Sequence, residues 1–235
     1  MSQKDRIPLA LSLLKLSGVA ALYALLYKVT TMFLSLQGGG SPFFVASGLA
    51  LAALLIGGRR YAWSVFLGAL LANVSSGFGV LGLLGMASAS TSGALLGAWL
   101  LTRSGKFDKS LPALPDYLKL AALGGFVGSS LSALLGATTL LLSGVLNTDA
   151  YLQSMIHWWM GDALGVLLIA PLVLAWFHPS PFRADKKRPA ESALIIGLTA
   201  LAGQVVFLGW FHDSIGYVAR GYWMFLFIAW VAVRL

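Results

Sequence analysis

Apolar residues run through this chain in stretches too long and too unbroken to fold as anything but membrane-spanning helices. Eight such segments can be drawn: Pro8–Leu36, Pro42–Ile56, Tyr61–Ser76, Val80–Leu101, Tyr117–Leu146, Tyr151–Phe177, Ala190–Phe211 and Gly221–Leu235. A helix needs about 20 predominantly apolar residues to cross the hydrocarbon core. Inside it the backbone must satisfy its own hydrogen bonds, and long, non-alternating runs do so as helices. Composition agrees. Of 235 residues 58% are hydrophobic and only 10% charged, where a soluble domain carries roughly a quarter charged. The expectation is an all-α polytopic membrane protein, one domain over residues 1–235, built as a bundle of about eight transmembrane helices in the lipid bilayer.

The net charge of +8 does not point to nucleic acid, because the basic residues fall in short loops between the apolar runs. With the N-terminus inside, the inner segments hold Lys4, Arg6, Lys15, Arg59, Arg60, Arg103, Lys106, Lys109, Lys119, Arg183, Lys186, Lys187, Arg188 and Arg234, which is 14 of the 16 basic residues. The outer loops hold only Arg220, and Lys28 lies within the first helix. This is the positive-inside distribution, and it predicts that both termini are cytoplasmic. A cysteine placed at Asn147 should therefore react with a membrane-impermeant label added from outside, and one at Lys187 should be spared; the opposite pattern overturns the orientation. Lys4 and Arg6 precede the first apolar run as in a signal peptide, but that run extends to Leu36, too far for a signal core, and reads as a retained helix.

Two segments fit poorly. Tyr61–Thr102 is one apolar run of 42 residues that must cross twice, so its outer turn is tight or its first helix short. The last segment has 15 residues, about 22 Å of helix. It is expected to be incomplete, with any output domain lying beyond Leu235. Gly93 and Gly97, Gly124 and Gly128, and Gly161 and Gly165 place small residues one turn apart, which lets helix backbones approach.

Ionisable groups within a span are costly and each needs an explanation. The outstanding one is Asp162, about ten residues or roughly 15 Å into the sixth span, flanked by Trp158 and Trp159. Lys28, Asn73 and Gln204 fall at comparable depth in the outer halves of their helices, and His157 precedes the tryptophan pair. These seven residues support two readings. They line a polar pocket where a small ligand or signal is felt, or they are structural contacts in which Asp162 pins the bundle through Lys28 or Asn73. No metal or other cofactor is expected: there is no cysteine, and a lone intramembrane histidine lacks the convergent ligands of a metal site. Phosphate loops, His-Glu-x-x-His and nucleophile elbows are absent from the sequence, so no enzymatic activity is assigned to this chain.

The stretch Trp158–Trp176, W-W-M-G-D-A-L-G-V-L-L-I-A-P-L-V-L-A-W, resembles the signature of the first membrane-associated sensor (MASE) domain family. Ser47-Gly48-Leu49-Ala50-Leu51-Ala52, Gly58-Arg59-Arg60-Tyr61, Trp63, Gly68-Ala69-Leu70-Leu71-Ala72-Asn73 and the ending Phe227–Arg234 extend the resemblance in order along the chain. Phe44-Val45-Ala46 stand where aromatic-Pro-Pro is common, a departure from the pattern. The resemblance implies a sensory module of the bacterial inner membrane, coupled to a cytoplasmic output domain in cis or to a partner signalling protein. In that family the outputs are histidine kinases of two-component systems, or diguanylate cyclases and phosphodiesterases of cyclic di-GMP signalling. A homodimer follows from how such outputs work. The competing expectation is a small-molecule transporter or substrate-capture subunit, suggested by glycine-rich helices around a mid-membrane carboxylate; no internal repeat between the two halves supports it.

Overall fold

The computed structural model describes residues 3–34, 43–103, 105 and 107–177. Within them the regular structure is all helical: α1 (Gln3–Leu34), α2 (Val45–Gly57), α3 (Ala62–Asn73), α4 (Val80–Arg103), α5 (Leu114–Lys119), a π-helical segment (Leu120–Gly128), α6 (Ser129–Leu142) and α7 (Thr148–Phe177). The π segment joins α5 to α6 without a break, so Leu114–Leu142 is one rod. Four stretches are long and apolar enough to cross a membrane: Ala10–Met32, Val80–Arg103, Leu114–Leu142 and Thr148–Phe177. Of the other four expected spans, Pro42–Ile56 and Tyr61–Ser76 form the shorter helices α2 and α3, of 13 and 12 residues, below the length of a full crossing; Ala190–Phe211 and Gly221–Leu235 lie outside the described residues, as does Gln204.

The long run from Tyr61 to Thr102 resolves through a short helix and a tight turn together. α3 has 12 residues, a 3₁₀ turn carries the chain on to Ser76, and Gly77 reverses it with φ of 74°, a left-handed conformation that glycine adopts without a Cβ penalty.

α2 is the hub. Its 13 residues span about 20 Å, and nine of them are buried, so it lives inside the bundle rather than facing lipid. One side joins Leu51, Leu54 and Leu55 to Ala98 and Leu101 of α4, Leu120 of the π segment, and Val166, Ala170 and Leu174 of α7. The other joins Ala46, Leu49 and Ala50 to Tyr23 of α1, Val65 and Ala69 of α3, and Ala87 of α4. By contrast, leucines at 11, 14 and 25, Met32, Trp63, Leu84, Leu168 and Trp176 are exposed, an apolar exterior suited to lipid.

Small residues set the close approaches. Along α4 and the rod, Gly85 faces Thr139, Gly93 faces Gly128 and Ser132, and Gly97 faces Gly124, an antiparallel pair whose backbones nearly touch. α1 and α3 run parallel: Gly68 lies against Ala20 and Tyr23, and further along Tyr27 donates to Asn73. α2 and α7 also run parallel. Gly48 lies on the backbone of Gly165, and the Phe44 N–H donates to the Gly161 carbonyl at 3.0 Å. The first turn of α2 is therefore level with the middle of α7, not with its end. At the basic end of the bundle, Lys119 pairs with Asp116 at 3.1 Å and Arg103 stacks on Trp99, 4.9 Å from the ring centroid.

Candidate functional site

α7 carries Gly161, Asp162, Gly165 and Val166 on its buried face, as the i, i+1, i+4, i+5 spacing of a helix stripe requires. The two glycines let the start of α2 settle onto that face. A Cβ at Gly165 would strike the Phe44 carbonyl oxygen and Ser47 Oγ. The Ser47 hydroxyl bridges the two helices, 2.8 Å from its own-helix acceptor, the Phe44 carbonyl, and 2.9 Å from the Asp162 main-chain carbonyl.

The Asp162 side chain is 4% exposed and sits at the fifteenth of the 30 residues of α7. Trp158, one turn earlier, donates its indole N–H to Oδ2 at 3.1 Å; that indole lies flat on Gly136 of α6, where any larger residue would collide with it. The Ser132 hydroxyl stands beside the carboxyl without closing a hydrogen bond of ordinary geometry. Tyr23 of α1 lies in the field of the same carboxyl with Ser90 of α4 next to its hydroxyl, yet among the described residues Tyr23 Oη closes no hydrogen bond of ordinary geometry. Asp162, Ser132, Tyr23 and Ser90 line a cavity where α1, α2, α4, the π segment, α6 and α7 converge, with Ser47, Ser129 and glycines of α4 and the rod among the rest of its wall. It has room for about one or two water molecules. The positive end of the α2 dipole also opens at this level, since Phe44 supplies no side-chain cap, and such an end favours negative charge.

The other expected site residues are placed differently. Trp159 turns away and donates to the Phe126 carbonyl at 3.2 Å, its ring edge-on to Phe126. Lys28 does not meet Asp162: its ammonium donates to Ser75 Oγ at 2.6 Å, five residues beyond Tyr23 and so about 7.5 Å farther along α1. Asn73, 1% exposed, is occupied by Tyr27, whose hydroxyl donates to Oδ1 at 2.9 Å, and by its own bond to the Ala69 carbonyl. It reaches the site only indirectly, because the Tyr27 ring stands edge-on to Phe44 with centroids 5.0 Å apart. His157 is exposed on the outside of α7. Among the described residues no group of three or more His, Cys, Asp or Glu could hold a metal ion.

Tyr23, Ser47, Ser90 and Ser132 belong to the cavity and were not singled out from the sequence. The available signal was weak: two tyrosines four apart, Tyr23 and Tyr27, in the middle of an apolar run, and serines in the middles of α4 and of the rod. The π segment is a further feature the apolar pattern does not reveal. Such segments are rare and often sit at functional sites, and this one supplies both the Phe126 carbonyl held by Trp159 and two glycines, Gly124 and Gly128, that line the cavity.

Among comparisons with known proteins, the MASE1 family model matches residues 13–235. No curated protein and no solved structure matches the chain.

Proposed function

The chain belongs to the MASE1 family of membrane-associated sensory domains, a multi-pass membrane protein, and from that premise we propose that it senses through the cavity at Asp162. In this reading the domain is a bundle of eight helices in a bacterial inner membrane with both ends cytoplasmic. It passes its state to an output domain or partner signalling protein on that side, acting as a dimer. The observation that supports a sensing role for the cavity is its position: a buried carboxyl at the level where α1, α2, α4, α6 and α7 meet. A change in charge or occupancy there is felt by five helices at once, which is how a small event becomes a shift between two packed arrangements.

The test is Asp162→Asn in the chain joined to its output domain. The substitution keeps the shape and removes the charge. It should leave the protein monodisperse in detergent and change output by at least about fivefold, the lower end of ordinary coupling free energies. Output indistinguishable from the wild type, with the protein folded, would mean that Asp162 is a structural contact only.

A further inference from the structure

Resting on that reading of the cavity, we propose that the site takes up one small monovalent cation, a proton or a sodium ion, with the Asp162 carboxylate as its charge partner and the Tyr23 and Ser132 hydroxyls as its neutral ligands.

Charge comes first. Asp162 is 4% exposed, and among the described residues the sole ion pair is Lys119 with Asp116, at the far end of the rod. An isolated ionised carboxylate in an apolar interior is too costly to persist and must acquire a proton or a counter-charge. The α2 end offers only about half a charge, which leaves the site net negative. One added positive charge balances the carboxylate and leaves only the roughly half charge of the helix end, whereas a divalent ion would leave about one and a half positive charges in the same low-dielectric setting.

The hydroxyls are the second, independent observation. Tyr23 is 0% and Ser132 3% exposed, both on the cavity wall; Ser90 stands beside the phenol and the Asp162 carboxyl beside Ser132, yet neither hydroxyl closes a hydrogen bond of ordinary geometry among the described residues. Buried polar atoms are almost always satisfied, so an orphan on a cavity wall points to something that fills the cavity. Both are oxygen atoms, as is the carboxylate, and oxygen sets without nitrogen or sulfur suit hard cations and water. Size narrows the choice further, because room for about one or two waters excludes an organic ammonium.

Among the described residues the groups that face Asp162 are few. From α1 comes the phenol of Tyr23; that of Tyr27, bonded to Asn73, lies in the field of the carboxyl without lining the cavity. From α2 come Phe44 and Ser47, from α4 Ser90, and from the rod Gly128, Ser129 and Ser132; none of these carries a charge. On α7 itself the neighbour is Trp158, and His157 lies outside. Asp162 is thus the group whose protonation responds to the occupant, and Trp158, bonded to its carboxyl, reports that change optically.

The experiment is tryptophan emission of the full chain in detergent, titrated with acid and base at constant ionic strength in choline chloride and then with sodium chloride replacing it. The wild type should show one transition that Asp162→Asn abolishes. If sodium is the occupant, the midpoint falls by about one pH unit for each tenfold rise in sodium, the slope of one-for-one exchange; if the proton alone binds, the midpoint does not move with sodium. Tyr23→Phe keeps the ring and removes one ligand, and should displace the midpoint. A wild type that titrates like Asp162→Asn overturns the proposal, and a Tyr23→Phe midpoint equal to the wild type overturns the hydroxyl assignment. A transition lost in Asp162→Asn, with signalling output unaffected, would leave the ion site standing and sink the sensing role. Altered output without any transition does the reverse.

Discussion

Gly165→Ala is expected to lower the stability of the folded bundle by about 3–5 kcal/mol, although it adds a single methyl group. The new Cβ would meet the Phe44 carbonyl oxygen and Ser47 Oγ, one a backbone atom and the other on a side chain too short to swing clear. α2 must therefore move off α7. Overpacking of this kind costs about 1–3 kcal/mol. The displacement also breaks the Phe44 N–H bond to Gly161 and the Ser47 bond to the Asp162 carbonyl, each worth about 1 kcal/mol. Gly18→Ala is the matched control: nothing lies within 4 Å of a Cβ there, and alanine is the better helix former by about 1 kcal/mol. Thermal unfolding in detergent, followed by circular dichroism, should show a large loss for Gly165→Ala and none for Gly18→Ala. Equal melting of the two variants would contradict the packing of α2 on α7.

Leu51→Ala should cost about 2–3 kcal/mol in the same assay. Leu51 is 1% exposed, and its methyl groups fill the spaces left by Gly97 of α4 and Gly124 of the π segment. Those glycines have no side chains with which to refill the gap, so truncation leaves a void. In water-soluble proteins a buried Leu→Ala change costs about 2–5 kcal/mol, combining transfer and cavity terms. In a bilayer the unfolded reference is itself apolar, which removes most of the transfer term and keeps the packing loss. Leu51→Met conserves volume and should cost less than about 1.5 kcal/mol. Because Leu51 also borders the cavity, the alanine variant enlarges the site as it loosens the hub, so its stability loss and any change in ion response should appear together.

What was readable in advance follows from what one dimension encodes. Within the described residues the apolar runs located the helices, but run length reported a full crossing at only four of them: the runs at Pro42–Ile56 and Tyr61–Ser76 fold as the shorter α2 and α3. Asp162 stood out because a carboxyl in the middle of such a run is rare and expensive. The error over Lys28 has a geometrical cause: counting residues from a helix end gives depth but says nothing about direction around the axis or lateral distance, and Lys28 turns to Ser75 instead. Asn73 failed for a related reason, since Tyr27 reaches it first. Ser132 escaped notice because a serine hydroxyl is cheap in a membrane helix when it bonds a carbonyl one turn back, as Thr91 does to Ala87; the structure reveals that among the described residues it has no such bond. Tyr23 escaped because its phenol lies at the tip of a long side chain, whose destination a linear sequence does not state. The nine-residue π segment was equally invisible, because its glycines and leucines read the same in either helical form.

The parallel pairing of α2 with α7 has a consequence for how the protein is made. Ser47 and the Asp162 carbonyl it grips are 115 residues apart. At about 5–20 residues per second, the ribosome takes roughly 6–23 s to produce the second after the first. For that interval α2, the helix on which both halves of the core are assembled, has only α1, α3, α4 and the growing rod as neighbours. Its first-turn donors wait for an acceptor that has not been synthesised. The carboxyl arrives with the last of these helices, so the cavity closes around Asp162 only after its other walls have been translated.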